Sequence, residues 1–557
     1  MTNTSSSSLK PLLLALLVFL LQNPYAQTIQ WASKVKACSS EFKDKDKSLR
    51  YRAVQVLDQP NVLPQGGESP CAWSPKKKSK IGKEWIHVAF VNPMQIKQVA
   101  IAESYNCGTI VCVKLIDEEG KYHKIKTFTQ AKTGETSRMY NVYMPLTEYK
   151  VKEVIVCLKT SLIKGWNHID AIGISDSNEP IKAKINNAPE KENIALEILS
   201  TNVNSEYSDL KPIISPDGKT LYFVRKEHPD NIGPEKKDDI WVSDFGPNGW
   251  ELAYQLPAPL NNNGHNYVNG VSADGSKVLL GNIYGSNTNK GIGMSASNFD
   301  GEKWSFPYTL NITNYYNFSE FMEAHVTSDF KVIVMSVWRK DTYGAKDLYV
   351  SFDRGGNNWS QPLNLGRTIN TASTEMAPFL AADGKTLYFA STGFSGYGGY
   401  DMYMSQRLDD TWQNWSKPLN MGPVINSNGH DTYLSLDANG EYAFLSRSSQ
   451  ASDSRADIYK IKLAEETRPE KMQVIEILLD GIEDHEHALL TYSKIDDPNS
   501  KTSVYSLLGK EDQVFRITTQ MSGFYQIKIE LEGYQSIEME MGVSNYQPLT
   551  LKMEKNP

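Results

Sequence analysis

Between residues 194 and 464 one short pattern comes round five times at an interval of about 55 residues. Each copy places an apolar residue three positions before an aspartate. The copies are Ile214-Ser215-Pro216-Asp217-Gly218, Val271-Ser272-Ala273-Asp274-Gly275, Val326-Thr327-Ser328-Asp329, Leu380-Ala381-Ala382-Asp383-Gly384 and Leu434-Ser435-Leu436-Asp437. Asp-Gly between two apolar runs signals a tight hairpin, because glycine tolerates positive φ. The runs that follow, such as Thr220-Leu221-Tyr222-Phe223 and Thr386-Leu387-Tyr388-Phe389, have the β-branched and aromatic composition of strands.

Two further elements recur in phase with the turn. Asp-apolar-aromatic occurs as Asp239-Ile240-Trp241, Asp347-Leu348-Tyr349, Asp401-Met402-Tyr403 and Asp457-Ile458-Tyr459, with Gly291-Ile292-Gly293-Met294 in the second unit. Trp-Ser-x-Pro occurs at Trp304, Trp359 and Trp415. Each unit therefore predicts about four short strands in a meander, which is one propeller blade. The last unit has no Trp-Ser-x-Pro strand. The region opens instead on Ala195-Leu196-Glu197-Ile198-Leu199 and Asn202-Val203-Asn204-Ser205, which match the tail of a unit, as in Leu363-Asn364-Leu365 and Ile369-Asn370-Thr371. The first strand is thus expected to complete the last blade and to close a five-bladed ring without open edges. Ser215-Pro216-Asp217-Gly218-Lys219-Thr220-Leu221-Tyr222-Phe223 and Gly396-Tyr397-Gly398-Gly399-Tyr400-Asp401-Met402-Tyr403 resemble the core of the PD40 family, the TolB-like relatives of WD40 propellers.

Polar, charged linkers at 178–193 and near 464–471 set this region apart from modules at 28–177 and 472–557. The first module alternates in Glu84 to Phe90, Ile96 to Ile101, Val111 to Ile116 and Val151 to Leu158, which reads as an antiparallel sandwich. Ala72-Trp73-Ser74-Pro75, Trp85-Ile86-His87-Val88 and Gly165-Trp166-Asn167-His168-Ile169-Asp170 make it resemble a discoidin jelly roll. Its cysteines, Cys38, Cys71, Cys107, Cys112 and Cys157, are odd in number, so at least one thiol is free. The bridge expected is Cys38 to Cys157, joining the two ends of the module as the discoidin resemblance implies. The spacings match no usual zinc set. The last module alternates in Phe524-Tyr525-Gln526-Ile527-Lys528-Ile529 and looks like a small carboxypeptidase-regulatory-type sandwich. The expected fold class is all-β throughout.

Residues 1–26 read as a signal peptide. Lys10 precedes the apolar run Pro11 to Leu21, and Pro24-Tyr25-Ala26 offers a cleavage site. Export to the periplasm, the outer membrane or the cell surface is expected, with no transmembrane span in the mature chain. The net charge of -7 argues against a nucleic-acid partner.

Three groups of residues are candidates for binding. A polar or acidic residue stands before each inner strand: Asp209, Asn266, Glu323, Glu375 and Asp431. In a ring these could hold a hard cation, although capping of loops is the commoner role and no dense Asp-x-Asp-x-Asp loop is present, so no metal is expected. The basic loop Lys76, Lys77, Lys78, between Trp73 and Trp85 and paired with Trp166, would suit an anionic glycan or head group, although a charge run is most often solvated surface. Arg225, Arg339 and Arg447 could hold an acidic ligand or pair along blade edges. Ser351-x-Asp353-x-Gly355 is a loose echo of a sialidase Asp-box, an outer turn rather than a catalyst. Gly393 to Tyr400 reads as a glycine-permitted hairpin.

The order of modules resembles OmpA-associated, PorE-like envelope proteins of the type IX secretion machinery. That resemblance implies a non-enzymatic scaffold whose partners are envelope or outer-membrane proteins, with no cofactor. Two alternatives stay open. One is a carbohydrate-binding adhesin acting through the discoidin-like loops. The other is a propeller glycan-processing enzyme, which needs carboxylates converging on a sugar.

Overall fold

The computed structural model describes residues 27–43, 48–76, 83–127, 134–189, 195–448, 455–482, 488–495, 503–506, 514–543 and 548–556. The expected signal peptide lies outside them. The chain is all-β, and the described residues include three single-turn 3-10 segments at Ala53–Val56, Thr160–Leu162 and Glu465–Thr467. Among the described residues no helix is long and apolar enough to cross a membrane.

The first unit has two antiparallel sheets. One runs in the order Ile29–Trp31, His168–Ser175, Gln98–Tyr105, Arg138–Tyr143. The other runs Lys34–Cys38, Glu84–Met94, Val151–Leu158, Ile110–Asp117, Tyr122–Thr127. Alternate residues point inward, so Ile86 and Val88 meet Val99, Ile101, Val113, Leu115, Val154 and Ile172 in one apolar layer. Each such side chain contributes about 1.5–3 kcal/mol of burial.

The disulfide expectation is corrected by this strand order. Cys112 and Cys157 face each other on neighbouring strands, with Cα atoms 5.0 Å apart, and form the bridge. Cys38 pairs with Ile86 on the far side of Glu84–Met94, a whole strand away from Cys157, and is a free thiol. Cys71 and Cys107 are also unbridged.

Among the described residues the central region holds five sheets of antiparallel meander, and a short parallel pair, Asn311–Ile312 with Asn358–Trp359, links the second to the third. Their first three strands are Ser208–Ile214, Thr220–Lys226 and Asp239–Gly246 in sheet 1, and Val268–Val271, Lys277–Ile283 and Gly291–Asn298 in sheet 2. Sheet 3 has Glu323–Val326, Val332–Val337 and Asp347–Phe352; sheet 4 has Glu375–Leu380, Thr386–Ser391 and Asp401–Gln406. Sheet 5 has His430–Leu436, Tyr442–Ser448 and Ala456–Lys462, and its fourth strand is Leu196–Ile198, which pairs with Tyr459 to Ile461. The inner strands touch in the order 1, 2, 3, 4, 5, and that of sheet 5 returns to that of sheet 1. Neighbouring sheets share apolar layers, as where Ile213, Tyr222 and Ile240 meet Val268, Val271 and Leu280.

A buried asparagine fixes the third strand of four sheets. Asn261 Oδ1 accepts from Ile240 N–H at 2.8 Å while its Nδ2 donates to Ile240 O at 2.9 Å. Asn370 does the same to Leu348, Asn426 to Met402 and Asn204 to Ile458. The residue held is always the one after the recurring Asp. Sheet 2, whose third strand opens on Gly291, has no such clamp among the described residues.

The first unit sits on loops of the ring. Buried Asp170 accepts from the N–H groups of Asn61, Val62 and Leu63 at 3.0, 3.0 and 3.1 Å and so shapes the loop that makes the contact. Ser395 Oγ reaches Pro60 O at 3.0 Å and Leu63 O at 2.6 Å, and Leu49 N–H donates to Tyr343 O at 2.8 Å. Gly393 to Tyr400 is therefore a seat for the first unit. A Cβ at Gly398 would lie 2.3 Å from Ser427 O, so only glycine fits there. The last unit pairs Val514–Gln520, Met472–Asp480 and Leu549–Lys552 in one sheet, and Ser503–Ser506, Leu489–Lys494, Phe524–Glu530 and Ile537–Gly542 in another. It lies by the Asp-Gly turns, where Met472 N–H donates to Ala438 O at 3.1 Å and Ser328 Oγ meets Thr518 Oγ1 at 3.1 Å.

Replacing Asn370 by Ala leaves the N–H of Leu348 buried and unpaired, while its C=O keeps the N–H of Leu365 at 3.1 Å. A loss of about 1–3 kcal/mol is expected from that one group, read as a fall in the urea midpoint. Replacing an exposed residue such as Val91 by Ala should leave that midpoint in place.

Candidate functional site

The five ring positions are buried, and each is bound within its own sheet or to a neighbour. Asp209 takes Arg225 Nε at 2.7 Å, and Ser205 through its N–H and hydroxyl. Asp431 repeats that pattern with Arg447 and Ser427. Glu375 accepts from Thr371 N–H at 2.9 Å, Thr371 Oγ1 at 2.7 Å and Ser391 Oγ at 2.8 Å. Asn266 donates to Asp239 and to the carbonyls of Asn262 and Gly264. Glu323 differs in facing Lys346 Nζ at 2.8 Å. Among the described residues no group of three or more His, Cys, Asp or Glu is placed to hold a metal ion.

Arg225 and Arg447 are thus spent on sheet-edge pairing, and both also donate to backbone carbonyls. Arg339 pairs with Asp341 and lies over the Tyr316 ring, 4.1 Å from its centroid. Asp353 accepts from Lys331 Nζ and Gly355 N–H, which makes the Asp-box echo a turn.

Of the first-unit candidates, Trp73, Lys76 and Trp166 fall among the described residues. Trp73 is fully buried in the core, its indole N–H on Ser40 O at 3.1 Å, so it offers no ring to a ligand. Trp166 is partly buried and packs edge-on against Phe42 at 5.3 Å. Lys76 is exposed, while Lys77 and Lys78 lie outside the described residues.

What fills the centre of the ring was not legible in the sequence. The inner strands of sheets 1, 4 and 5 carry a bulge two residues after the ring acid, and there Lys211, Ala377 and Tyr433 adopt φ of 56°, 48° and 56°. Three non-glycine residues in the left-handed region at the same offset show how strongly the ring dictates this turn of the backbone. It brings Lys211 into the interior. Its Nζ lies 2.6 Å from Asn269 Oδ1, 3.7 Å above the Tyr267 ring and 5.8 Å from that of Tyr433. Burial pulls the Lys211 ammonium down to about 7, with Glu323 opposing and Lys346 reinforcing the shift.

Two carboxylates act on this lysine. Glu323 comes from the inner strand of sheet 3. Asp238 stands immediately before the third strand of sheet 1, with Oδ2 2.9 Å from His265 Nδ1 and a buried Oδ1 that has no hydrogen-bond partner. Next to Glu323 the chain exposes a run of aromatics. Phe318 and Phe321 are 53% and 67% exposed, and Trp338 37%. Phe318 lies 5.4 Å from Tyr316 and 6.1 Å from Trp338, and its N–H donates to Trp338 O at 2.8 Å. Tyr267 ties this shelf to the centre, its hydroxyl donating to Met322 O at 3.0 Å.

Comparison with protein-family models and with curated proteins gives no match. Among solved structures the chain is similar to an α-L-arabinofuranosidase from Lactobacillus brevis, at 11% identity over 48% of this chain and 95% of that one, with a TM-score of 0.32. It is also similar to the β-fructofuranosidase catalytic domain of Microbacterium saccharophilum K-1, at 11% over 50% and 82%, with a TM-score of 0.28. A glycoside hydrolase family 32 structure from Bifidobacterium adolescentis covers 83% of this chain and 95% of its own at 9% identity, with a TM-score of 0.27. These are glycoside hydrolases, not PD40 or TolB-like proteins. That finding corrects the expectation of a PD40-type, PorE-like, non-enzymatic envelope scaffold acting by protein binding.

Burial lifts the Glu375 carboxyl from 4.5 to about 8, against the three hydrogen bonds it accepts. A folded-state value above the unfolded one stabilises the fold at low pH and is lost as pH rises through it. The parent chain should therefore lose stability between about pH 4.5 and pH 8. Glu375→Gln should flatten that part of the profile, measured by urea unfolding across the range.

Proposed function

We propose that this chain is a glycoside-cleaving protein, and that the five sheets are the blades of a five-bladed propeller with the chemistry at its centre. On this reading the first unit is a jelly-roll sandwich at 28–177, the last is a small regulatory-type sandwich at 472–557, and the mature chain is exported after residue 26. The observation that carries the function is the exposed Phe318–Trp338 shelf running up to Glu323. Flat rings flanked by polar side chains suit the mixed apolar and hydroxylated faces of a sugar. Glycosidic cleavage needs one carboxyl to protonate the leaving oxygen and a second to act on the anomeric carbon or on water.

The two roles divide by surroundings. Glu323, its charge matched by Lys346, is the carboxylate that attacks or activates water. Asp238, oriented by His265 and with Oδ1 unpartnered, is the proton donor. The bound Asp209, Asn266, Glu375 and Asp431 hold the ring in shape and touch no sugar.

Purified protein is assayed on nitrophenyl glycosides and on natural oligosaccharides. Glu323→Gln should lower turnover on both at least 100-fold. Asp238→Asn should do so on oligosaccharides but much less on nitrophenyl glycosides, whose leaving group needs no proton. Undiminished turnover in Glu323→Gln, or no turnover by the parent on any substrate tried, would sink the proposal.

A further inference from the structure

Lys211 is 6% exposed and, among the described residues, makes no ion pair. Glu323 is taken by Lys346 and Asp238 by His265. The contacts Lys211 does make are one amide oxygen and the faces of Tyr267 and Tyr433. A buried ammonium with no counter-charge is an unfavourable arrangement that a ligand can relieve. The second observation is independent of the lysine. Asn269 is fully buried, and while its Oδ1 faces Lys211, its Nδ2 has no acceptor. Of these two donors, the cationic one has the Asn269 Oδ1 as acceptor and the amide Nδ2 has none. Buried donors left in this way call for an acceptor from outside the chain.

We infer that Lys211 and Asn269 form an anion site that takes the carboxylate of an acidic sugar, a uronic acid residue of the glycan. The carboxylate would accept from Lys211 Nζ with one oxygen and from Asn269 Nδ2 with the other, a charge-assisted pair. The Tyr267 and Tyr433 rings flank the ammonium and exclude water, which strengthens that pair. Arg339, Arg225 and Arg447 are already paired and do not compete for the anion. This inference rests on the glycan reading for its ligand, but the site itself does not require cleavage.

The test is calorimetric titration of the full chain with short oligomers of glucuronate, galacturonate and mannuronate, each beside its methyl ester. The expected result is at least tenfold tighter binding of one acid over its ester. That preference should vanish in Lys211→Met and in Asn269→Asp. The second variant supplies the missing counter-charge from within, so it should hold or raise the melting temperature, which separates loss of the site from loss of the fold. Equal binding of acid and ester, a preference unchanged in the variants, or no binding of either form overturns the anion site. A preference for the acid in a chain that cleaves no glycoside would keep the anion site and remove the cleavage reading.

Discussion

An asparagine that binds both the N–H and the C=O of one residue behaves as a short stretch of extra strand. Asn204, Asn261, Asn370 and Asn426 each do this to the residue after the Asp that opens a third strand. The clamp comes from the loop that leads into the next inner strand, so it ties one sheet to the start of its neighbour. The asparagine from the N-terminal stretch holds Ile458, and this makes the last sheet depend on the first. Each amide is buried, so there is no water to replace a lost bond. The geometry of the ring centre follows from this repeated tie.

With the sheets held at fixed spacing, the residues after each clamp are set as well. Ser205, Thr371 and Ser427 sit next to the asparagines and bind Asp209, Glu375 and Asp431. The inner strand then bulges two residues on, and the left-handed backbone at Lys211 and Tyr433 puts those side chains in the middle of the ring. The sheets that depart from this pattern reach the same centre, beside Lys211 and Asp238 from sheet 1. Sheet 2 contributes Asn269 and Tyr267, and sheet 3 gives Glu323, approached by the long aromatic segment from Tyr315 to Met322. In sheet 2, where the clamp is missing, Asn266 Oδ1 and Asn269 Nδ2 are buried without a hydrogen-bond partner.

The repeat was legible because its turns have fixed chemical needs. Asp217-Gly218 lies between strands ending at Ile214 and starting at Thr220, and third strands begin at Asp239, Asp347 and Asp401. What escaped the sequence reading depended on pairing at a distance. Cys38 and Cys157 span the first unit, but the strand Glu84–Met94 runs between them, and strand order has no local signature. Trp73 read as a loop aromatic and is core, because the segment around it folds back onto Ile169. The five ring positions were visible, but their partners, such as Arg225 for Asp209, appear only once strands are in register. Lys211 carries no sign of its inward turn, since a non-glycine bulge leaves nothing in the sequence to mark it. Asp238 and the Phe318–Trp338 shelf belong to no repeat and so were passed over.

On the proposed function a saccharide is received at the ring centre between the aromatic shelf and Lys211. A crystal structure of the full chain soaked with a bound oligosaccharide tests it most directly. The expected result is sugar rings stacked on Phe318 or Trp338, with one residue reaching Glu323 and Asp238. A saccharide seated on the first unit near Lys76 and Trp166, or in the crevice of about 1290 Å³ beneath the Asp-Gly turns with the ring centre empty, would contradict it.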